Sequence, residues 1–282
     1  MTHRDFPAGT VPALRARAEA WLAAGHAGRP REAAEPRPSS TVMIVRDAAA
    51  GVEVFVLRRA ATMAFAPSVL VFPGGGVDVR DADPSLPWAG PGPLHWAGRM
   101  GCSELAAREL VVAAVREVFE ECGVLLAGPD EDYVLGDVSG PEWSAERAAL
   151  VSKQTSLAQL LIRRDLVLRT DLLSVRSHWV TPVFEPRRYS TWVFAAAVPP
   201  AQVPDDRTSE TDLAQWRSPE EVLQDYRDGA VLMLPPTVVS MEDLASATSV
   251  AALLAERPVV APIEPGLAWV GDELVLRADF PV

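Results

Sequence analysis

The spacing of apolar and polar residues changes several times along the chain, and each change predicts an element. A short amphipathic stretch from Val11 to Ala24 predicts a helix, and the Arg/Pro/Ala-rich sequence through Ser40 predicts a linker. Thr41-Val-Met-Ile-Val45 and Val52-Glu-Val-Phe-Val-Leu57 are β-branched runs on either side of Asp47–Gly51, the pattern of a hairpin. Val69–Phe72 reads as another strand running into Pro73-Gly-Gly-Gly76. Residues 82–101, rich in Pro, Gly and Trp without periodicity, predict a long loop. A helix follows from Ser103 to Cys122, with Ser103 as N-cap and Gly123 as its stop.

Further on, Glu142–Val151 and Ser156–Arg163 predict helices, and Leu166–Leu168, His178–Val183 and Thr191–Val198 predict strands. A polar loop, Pro204–Thr211, leads to Trp216 and a short helix from Ser218; another helix is expected over Met241–Glu256. Gly266–Asp279 reads as a terminal hairpin turning at Gly271-Asp272. No internal repeat is found. Alternating strands and helices give an α/β (α+β) class with a mixed sheet.

Composition narrows the functional classes. A chain of 282 residues, 49% hydrophobic and 23% charged, can bury a large core without a disulfide or metal staple. No apolar run reaches the ~18 residues of a membrane helix, and the first residues, Met1–Pro7, lack the layout of a signal peptide. A net charge of −12 argues against a nucleic-acid partner, which would need a basic surface. The expectation is a cytoplasmic protein with neither membrane nor nucleic-acid partner. Cys102, Cys122 and four scattered histidines form no zinc pattern.

The segment Val111–Gly123 carries the chemistry. At ~100° per residue, Glu117, Glu120 and Glu121 fall in one arc, and Val111, Val112, Val115, Val118, Phe119 and Cys122 fall opposite. Ala113 and Ala114 flank the acidic arc and are expected to leave it open. A solvated acidic face, with Arg116 pairing Glu120, is the ordinary reading of such a helix. Like charges three and four apart repel by ~0.2–0.5 kcal/mol a pair, however, and a divalent cation would relieve them. Oxygen donors without His or Cys suit Mg²⁺ or Mn²⁺. Upstream, the Phe72–Gly76 turn allows a backbone carbonyl to approach a ligand closely.

Taken together, Pro73-Gly-Gly75 and Ala114-Val-Arg-Glu-Val-Phe-Glu-Glu-Cys-Gly-Val124 resemble the Nudix box of the Nudix hydrolases. The helical half matches from Arg116 to Val124. The first half departs from the pattern: Asp81 stands where a glutamate is expected, and about two dozen extra residues precede the helix. This interrupted box is similar to one Nudix branch that includes the animal peroxisomal coenzyme A diphosphatases. Arg58-Arg59, Trp179–Pro182, Pro186–Tyr189 and Trp216 followed by Pro219-Glu-Glu add to the likeness.

The resemblance implies a Nudix fold, a mixed sheet between helices. It covers about residues 41–240, and with the residue pattern it divides the chain into an N-terminal helix and linker (1–40) and a catalytic domain (41–257) with inserts at 82–101 and 130–165. A C-terminal extension (258–282) packs on the same domain. By the same resemblance Glu117, Glu120 and Glu121 with the Gly75 carbonyl hold Mg²⁺ or Mn²⁺, and Arg116 orients Glu117. Glu117 or Glu210 serves as general base. Arg58, Arg59, Arg187 and Arg188 are candidates for substrate phosphates, because guanidinium binds phosphate bidentately. Trp88, Trp96, Trp143 and Trp179 could stack on a base, with core or lid packing the commoner role, and the 82–101 insert is a candidate cap. The implied activity is hydrolysis of a nucleotide-type diphosphate, foremost coenzyme A or acyl-coenzyme A; ADP-ribose, dinucleotides such as NADH, nucleoside triphosphates or a non-catalytic sensing role are the alternatives. The resemblance implies homodimers as an option. The chain ends Phe280-Pro-Val282, which is no peroxisomal address, and so supports the cytoplasmic expectation.

Overall fold

Strand β1 (Thr2–Pro7) and helix α1 (Pro12–His26) lead into the hairpin β2 (Arg37–Ala48) and β3 (Gly51–Arg59). The structure is a computed structural model and describes residues 2–26, 32–60, 68–205 and 211–281. Two short strands follow, β4 (Leu70–Val71) and β5 (Gly74–Gly76), then β6 (Trp88–Ala89), α2 (Pro93–Met100) and the long α3 (Glu104–Cys122). Next come β7 (Ala127–Gly128), α4 (Pro141–Val151), α5 (Leu157–Arg163), β8 (Val167–Arg169), β9 (Leu173–Val180) and β10 (Tyr189–Ala197). The chain closes through β11 (Thr211–Arg217), α6 (Pro219–Arg227), α7 (Pro235–Ser246), α8 (Val250–Ala255), β12 (Pro262–Ile263), β13 (Gly266–Val270) and β14 (Glu273–Phe280).

The main sheet runs β11-β3-β2-β10-β9-β12, with β4 added to β3 and β5 to β2. It is mixed, as expected: β10 is parallel to β2 and β12 to β9, and the other neighbours are antiparallel. Side chains alternate across it. Val42 and Ile44 face a core shared with α2, α3, α4 and α5. Met43 and Val45 face a second core shared with α1, α7, α8 and β14. The sheet is therefore a middle layer between helices, the arrangement that covers both faces of a sheet with a long parallel pair.

Several expectations need correction. Residues 82–101 are no featureless loop: they form β6 and α2, whose N1 proline and left-handed Gly101 (φ 64°) mark its ends. Leu86, Trp96 and Met100 are buried in the α3-side core, so this segment packs beside α3 as part of the fold. The linker expected through Ser40 ends earlier, because Arg37–Ser40 belong to β2 and pair with Tyr189–Trp192 of β10. Thr211–Arg217 is a strand rather than the end of a loop, and Met241–Glu256 splits into α7 and α8 around the Ser249 N-cap. β1 was not expected; it pairs with β14, which also forms the expected hairpin with β13, so the two chain ends share one three-stranded sheet.

Candidate active site

Helix α3 has the expected ends. The Ser103 hydroxyl accepts from the Ala106 N–H at 3.2 Å, and Gly123 adopts φ 72° with its N–H on the Phe119 carbonyl. Ala113 and Ala114 are fully buried, however, so the helix is enclosed on more of its circumference than an open acidic face would allow. The carboxylates of Glu117 and Glu120 are only 12% and 17% exposed, which excludes a solvated charge stripe.

Arg116 organises the site. Its buried guanidinium pairs with Asp81 through two hydrogen bonds, Nε–Oδ1 at 2.9 Å and Nη2–Oδ2 at 3.0 Å. Nη2 also donates to the Gly76 carbonyl at 2.8 Å, and Nη1 donates to Glu117 at 2.7 Å and Glu120 at 3.2 Å. The fork shape of arginine makes this simultaneous contact geometrically natural. The Asp81 substitution noted in the sequence is thereby explained. Asp81 sits in a 3-10 turn, Val79–Ala82, where its carboxylate also accepts the Asp78 N–H at 2.8 Å. The turn brings the shorter aspartate chain to the arginine.

The glycine strand β5 lies against the acidic groups. It pairs with β2 at Ser39, Ser40 and Thr41, and the Gly74 N–H donates to the Glu121 carboxylate at 2.9 Å. A side chain on Gly75 would stand 2.5 Å from Glu117 Oε1, so glycine is required for the strand to reach that carboxylate.

Charge crowding has the expected electrostatic result. Burial pushes the Glu117 carboxyl up to about 7; Arg116 opposes this and the neighbouring Glu120 adds to it. Burial raises Glu120 too, again opposed by Arg116. Arg116 itself is held firmly protonated: burial disfavours its charge, but its hydrogen bonds to Asp81 and the nearby glutamate charges outweigh it.

The donors are chemically suited to a hard divalent cation: carboxylate oxygens and glycine carbonyls, without nitrogen or sulfur. Among the described residues no three acidic, His or Cys side chains stand as a ready metal cage. Glu117 and Glu120 are turned onto Arg116 and Glu121 onto the Gly74 N–H. Cation binding would therefore compete with those contacts.

From the carboxylates a cavity of about 780 Å³ extends past β5, β2 and β10 to Trp179 on β9. Of the arginine candidates, Arg59 and Arg187 line it; Arg58 and Arg188 do not. Arg58 pairs with Asp212 at 2.6 Å. Arg188 is buried and spends its donors on Thr181 and Ala34 carbonyls and on Glu264. Exposed Arg187 has no hydrogen bond or ion pair among the described residues. Of the tryptophans only Trp179 reaches the cavity, and Trp88, Trp96 and Trp143 pack in or against the α3-side core. The 82–101 insert contributes nothing to the lining, so it is not a cap over this cavity.

Glu210 lies outside the described residues. Asp205, before it, is anchored to the end of α3: its N–H donates to the Cys122 carbonyl at 3.0 Å and its carboxylate accepts from Arg147 at 2.6 Å. Thr211, after it, is paired in register with Arg59. Sequence reasoning missed Arg17, Arg80 and Lys153, which also line the cavity. Arg17 pairs with buried Glu185, and both Arg80 and Lys153 lie on Asp78. Arg17 and Lys153 sit far from the motif in sequence, and Arg80, inside the interrupted box beside Asp81, stands at a position that the motif does not specify.

Comparisons with known proteins identify the family. A model of the NUDT19 Nudix domain matches residues 95–244. The chain is 29% identical over 243 residues to the acyl-coenzyme A diphosphatase NUDT19 of Homo sapiens, covering 73% of this chain and 64% of that protein. Its likeness to the protein of the same description from Xenopus laevis is 25% over 225 residues, covering 68% and 59%. The chain thus spans less than two thirds of the length of these curated relatives. A crystal structure of a Nudix hydrolase from Alicyclobacillus acidocaldarius superposes with a TM-score of 0.67 at 26% identity, covering 80% of this chain and 98% of that one. The domain match takes in more than half of the residues, and the box glutamates gather around Arg116 beside a glycine strand: the chain belongs to the Nudix hydrolase family.

Proposed function

We propose that this protein hydrolyses the diphosphate linkage of a nucleotide conjugate, with coenzyme A or an acyl-coenzyme A as substrate and Mg²⁺ or Mn²⁺ as cofactor. The observation that carries this reading is the cavity that begins at Glu117, Glu120 and Glu121 and continues into a large compartment. The relatives described as acyl-coenzyme A diphosphatases support the substrate class. Glu120 and Glu121, with the Gly75 carbonyl of β5, would hold the cation, and Glu117 would be either a third ligand or the base. A bound divalent ion would neutralise the diphosphate and acidify the attacking water.

The protein's own groups do the rest. Arg116 fixes the direction of Glu117 and Glu120, and Asp81 fixes Arg116. A carboxyl pushed up to about 7 is a competent proton acceptor near neutral pH, so Glu117 suits the role of base in an in-line attack on phosphorus. Glu210 is the second candidate for that role. Arg187 and Arg59 at the cavity wall are suited to bind phosphate oxygens.

A panel of coenzyme A, acyl-coenzyme A, ADP-ribose, NADH and nucleoside triphosphates, each with Mg²⁺ or Mn²⁺, tests the proposal. Coenzyme A derivatives are expected to be cleaved fastest, and Glu120→Gln should cut kcat/KM by on the order of 10²–10³-fold, the loss of several kcal/mol of charge stabilisation. Faster turnover of ADP-ribose or NADH would replace the substrate assignment. Tight binding without turnover under either metal would make the protein a nucleotide sensor.

A further inference from the structure

The half of the cavity remote from the carboxylates is built partly from residues outside the matched domain, Val11, Leu14 and Leu276. Its walls are Val11, just before α1, and Leu14 within it, Leu276 of β14, Leu234 at the N-cap of α7, and Val193 and Trp179 of the sheet. All but Leu234 are fully or nearly buried from solvent although they border a void. The Trp179 ring lies at 76° to that of Phe280 and its N–H donates to Ser177. The buried charge bordering this region, Glu185, is neutralised by Arg17 at 2.8 Å. Thr237 and Ser240 of α7 also line the cavity, but its walls at Val11, Leu14, Val193 and Leu276 are aliphatic; they give a nucleobase edge no hydrogen-bonding partner, and an alkyl chain needs none.

The sheet register gives the distance. Gly75 pairs with Ser40, Ser39 and Ser40 with Thr191 and Trp192, and Thr191 with Trp179. Three strand spacings at ~4.8 Å put this compartment roughly 14 Å across the sheet from the glycine strand. A group tethered to a diphosphate held at Glu117 would need an extended arm of that length to reach it.

We propose that this compartment is an acyl-chain subsite: the aliphatic tail of a thioester on the pantetheine arm seats between α1, β14 and the β9–β10 face, and the two paired chain ends thereby set substrate chain-length preference. The inference rests on the proposed coenzyme A activity and deepens it. β1 holds β14 in register from Thr2–Phe280 to Pro7–Val275, so the wall at Leu276 is fixed by both ends of the chain.

The test is the ratio of kcat/KM for lauroyl-coenzyme A to that for unacylated coenzyme A, in wild type, Leu14→Trp and Leu14→Ala. Each buried methylene is worth about fourfold in affinity, so Leu14→Trp, which fills the void, should lower the ratio by about tenfold or more. Leu14→Ala, which enlarges it, should move the optimum to a longer chain, and a cooperative thermal melt for each variant confirms folding. An unchanged ratio and optimum in both variants, with wild type active on coenzyme A, would overturn the subsite and leave the activity standing. Equal losses on lauroyl-coenzyme A, free coenzyme A and ADP-ribose would mean that the common nucleotide end sits there instead, which also overturns it. Absence of any coenzyme A turnover by wild type would overturn the underlying activity, and the subsite with it.

Discussion

The two ends of the cavity are made by opposite means. At one end, the charged groups Asp81, Arg116, Glu117 and Glu120 are held by short hydrogen bonds within one turn and one helix. At the other, Val11, Leu14, Val193 and Leu276 come from three separate parts of the chain and are held only by burial. Hydrogen-bonded charge is directional and fails sharply when one partner is removed; aliphatic packing is non-directional and fails by degrees. The catalytic end should therefore tolerate almost no substitution, and the remote end should respond gradually, in selectivity before stability.

The largest effect expected is at Arg116. Removing it by Arg116→Met leaves Asp81, 2% exposed, as a buried carboxylate without its counter-ion. Breaking a buried pair in this way costs roughly 3–5 kcal/mol. Urea unfolding should show that loss in midpoint, and the double variant Arg116→Met/Asp81→Leu should recover part of it, because two apolar groups leave no stranded charge. If Arg116→Met alone unfolds at the wild-type midpoint, the pair does not hold the site. The recovery in the double variant should not extend to turnover, since Glu117 and Glu120 would have lost the group that aims them.

The adjacent glycines of β5 sharpen the contrast between holding the fold and holding the chemistry. A Cβ on Gly74 would meet backbone, 2.5 Å from the Ser40 carbonyl oxygen and 2.6 Å from the Thr41 Cα. A Cβ on Gly75 would meet only the end of the Glu117 side chain, at 2.5 Å. Gly74→Ala is therefore expected to destabilise by about 1–3 kcal/mol, the range for overpacking. Gly75→Ala should unfold within ~1 kcal/mol of wild type but lose on the order of 10²-fold or more in kcat, because it displaces a candidate base. Equal stability losses at the two glycines would remove the reason for assigning them different roles.

This difference also explains what could be read from the sequence. Helix α3 was legible to the residue, because the Ser103 cap, the apolar face and Gly123 are local signals with local causes. The spacing from Gly75 to Asp81 was visible, but its meaning was not: only the fold reveals that a 3-10 turn carries the aspartate onto Arg116. Arg58 and Arg59 look equivalent as a pair, yet strand alternation sends one to Asp212 and the other to the cavity. Arg188 looked like a phosphate binder until its donors were found on Thr181, Ala34 and Glu264. Helix α2 does carry a helical period, with Trp96, Ala97 and Met100 buried and Leu94, His95 and Gly98 exposed, but at eight residues within Pro/Gly-rich sequence it is too short to stand out. β1 was illegible for a different reason: its partner β14 lies at the other end of the chain, and no local pattern encodes that pairing.

The smallest effect expected is a pH-dependent response to metal, and it separates a cation site from a merely buried acidic cluster. In the metal-free fold Glu117 is pushed up from an ordinary value of 4.5 to about 7. The folded protein then holds that proton more tightly than the unfolded chain does. Its contribution to stability is complete below about 4.5 and declines as pH rises to about 7. Burial shifts Glu120 in the same direction. A divalent ion binds the ionised carboxylates, so it must displace protons at low pH and meets little competition at high pH. At about a hundredfold excess over its Kd near pH 8, an ion that binds only the folded state contributes ~2.7 kcal/mol, or roughly 4–5 °C in Tm. Near pH 5.5 only about 1 in 30 copies of Glu117 is ionised, which weakens apparent binding about 30-fold and leaves roughly 0.9 kcal/mol, or ~1–2 °C. Glu117→Gln should flatten this difference between the two pH values. Equal thermal shifts in the wild type at both would mean that Glu117 does not give up a proton when the ion binds, and Glu117 would then not be among the groups that hold it.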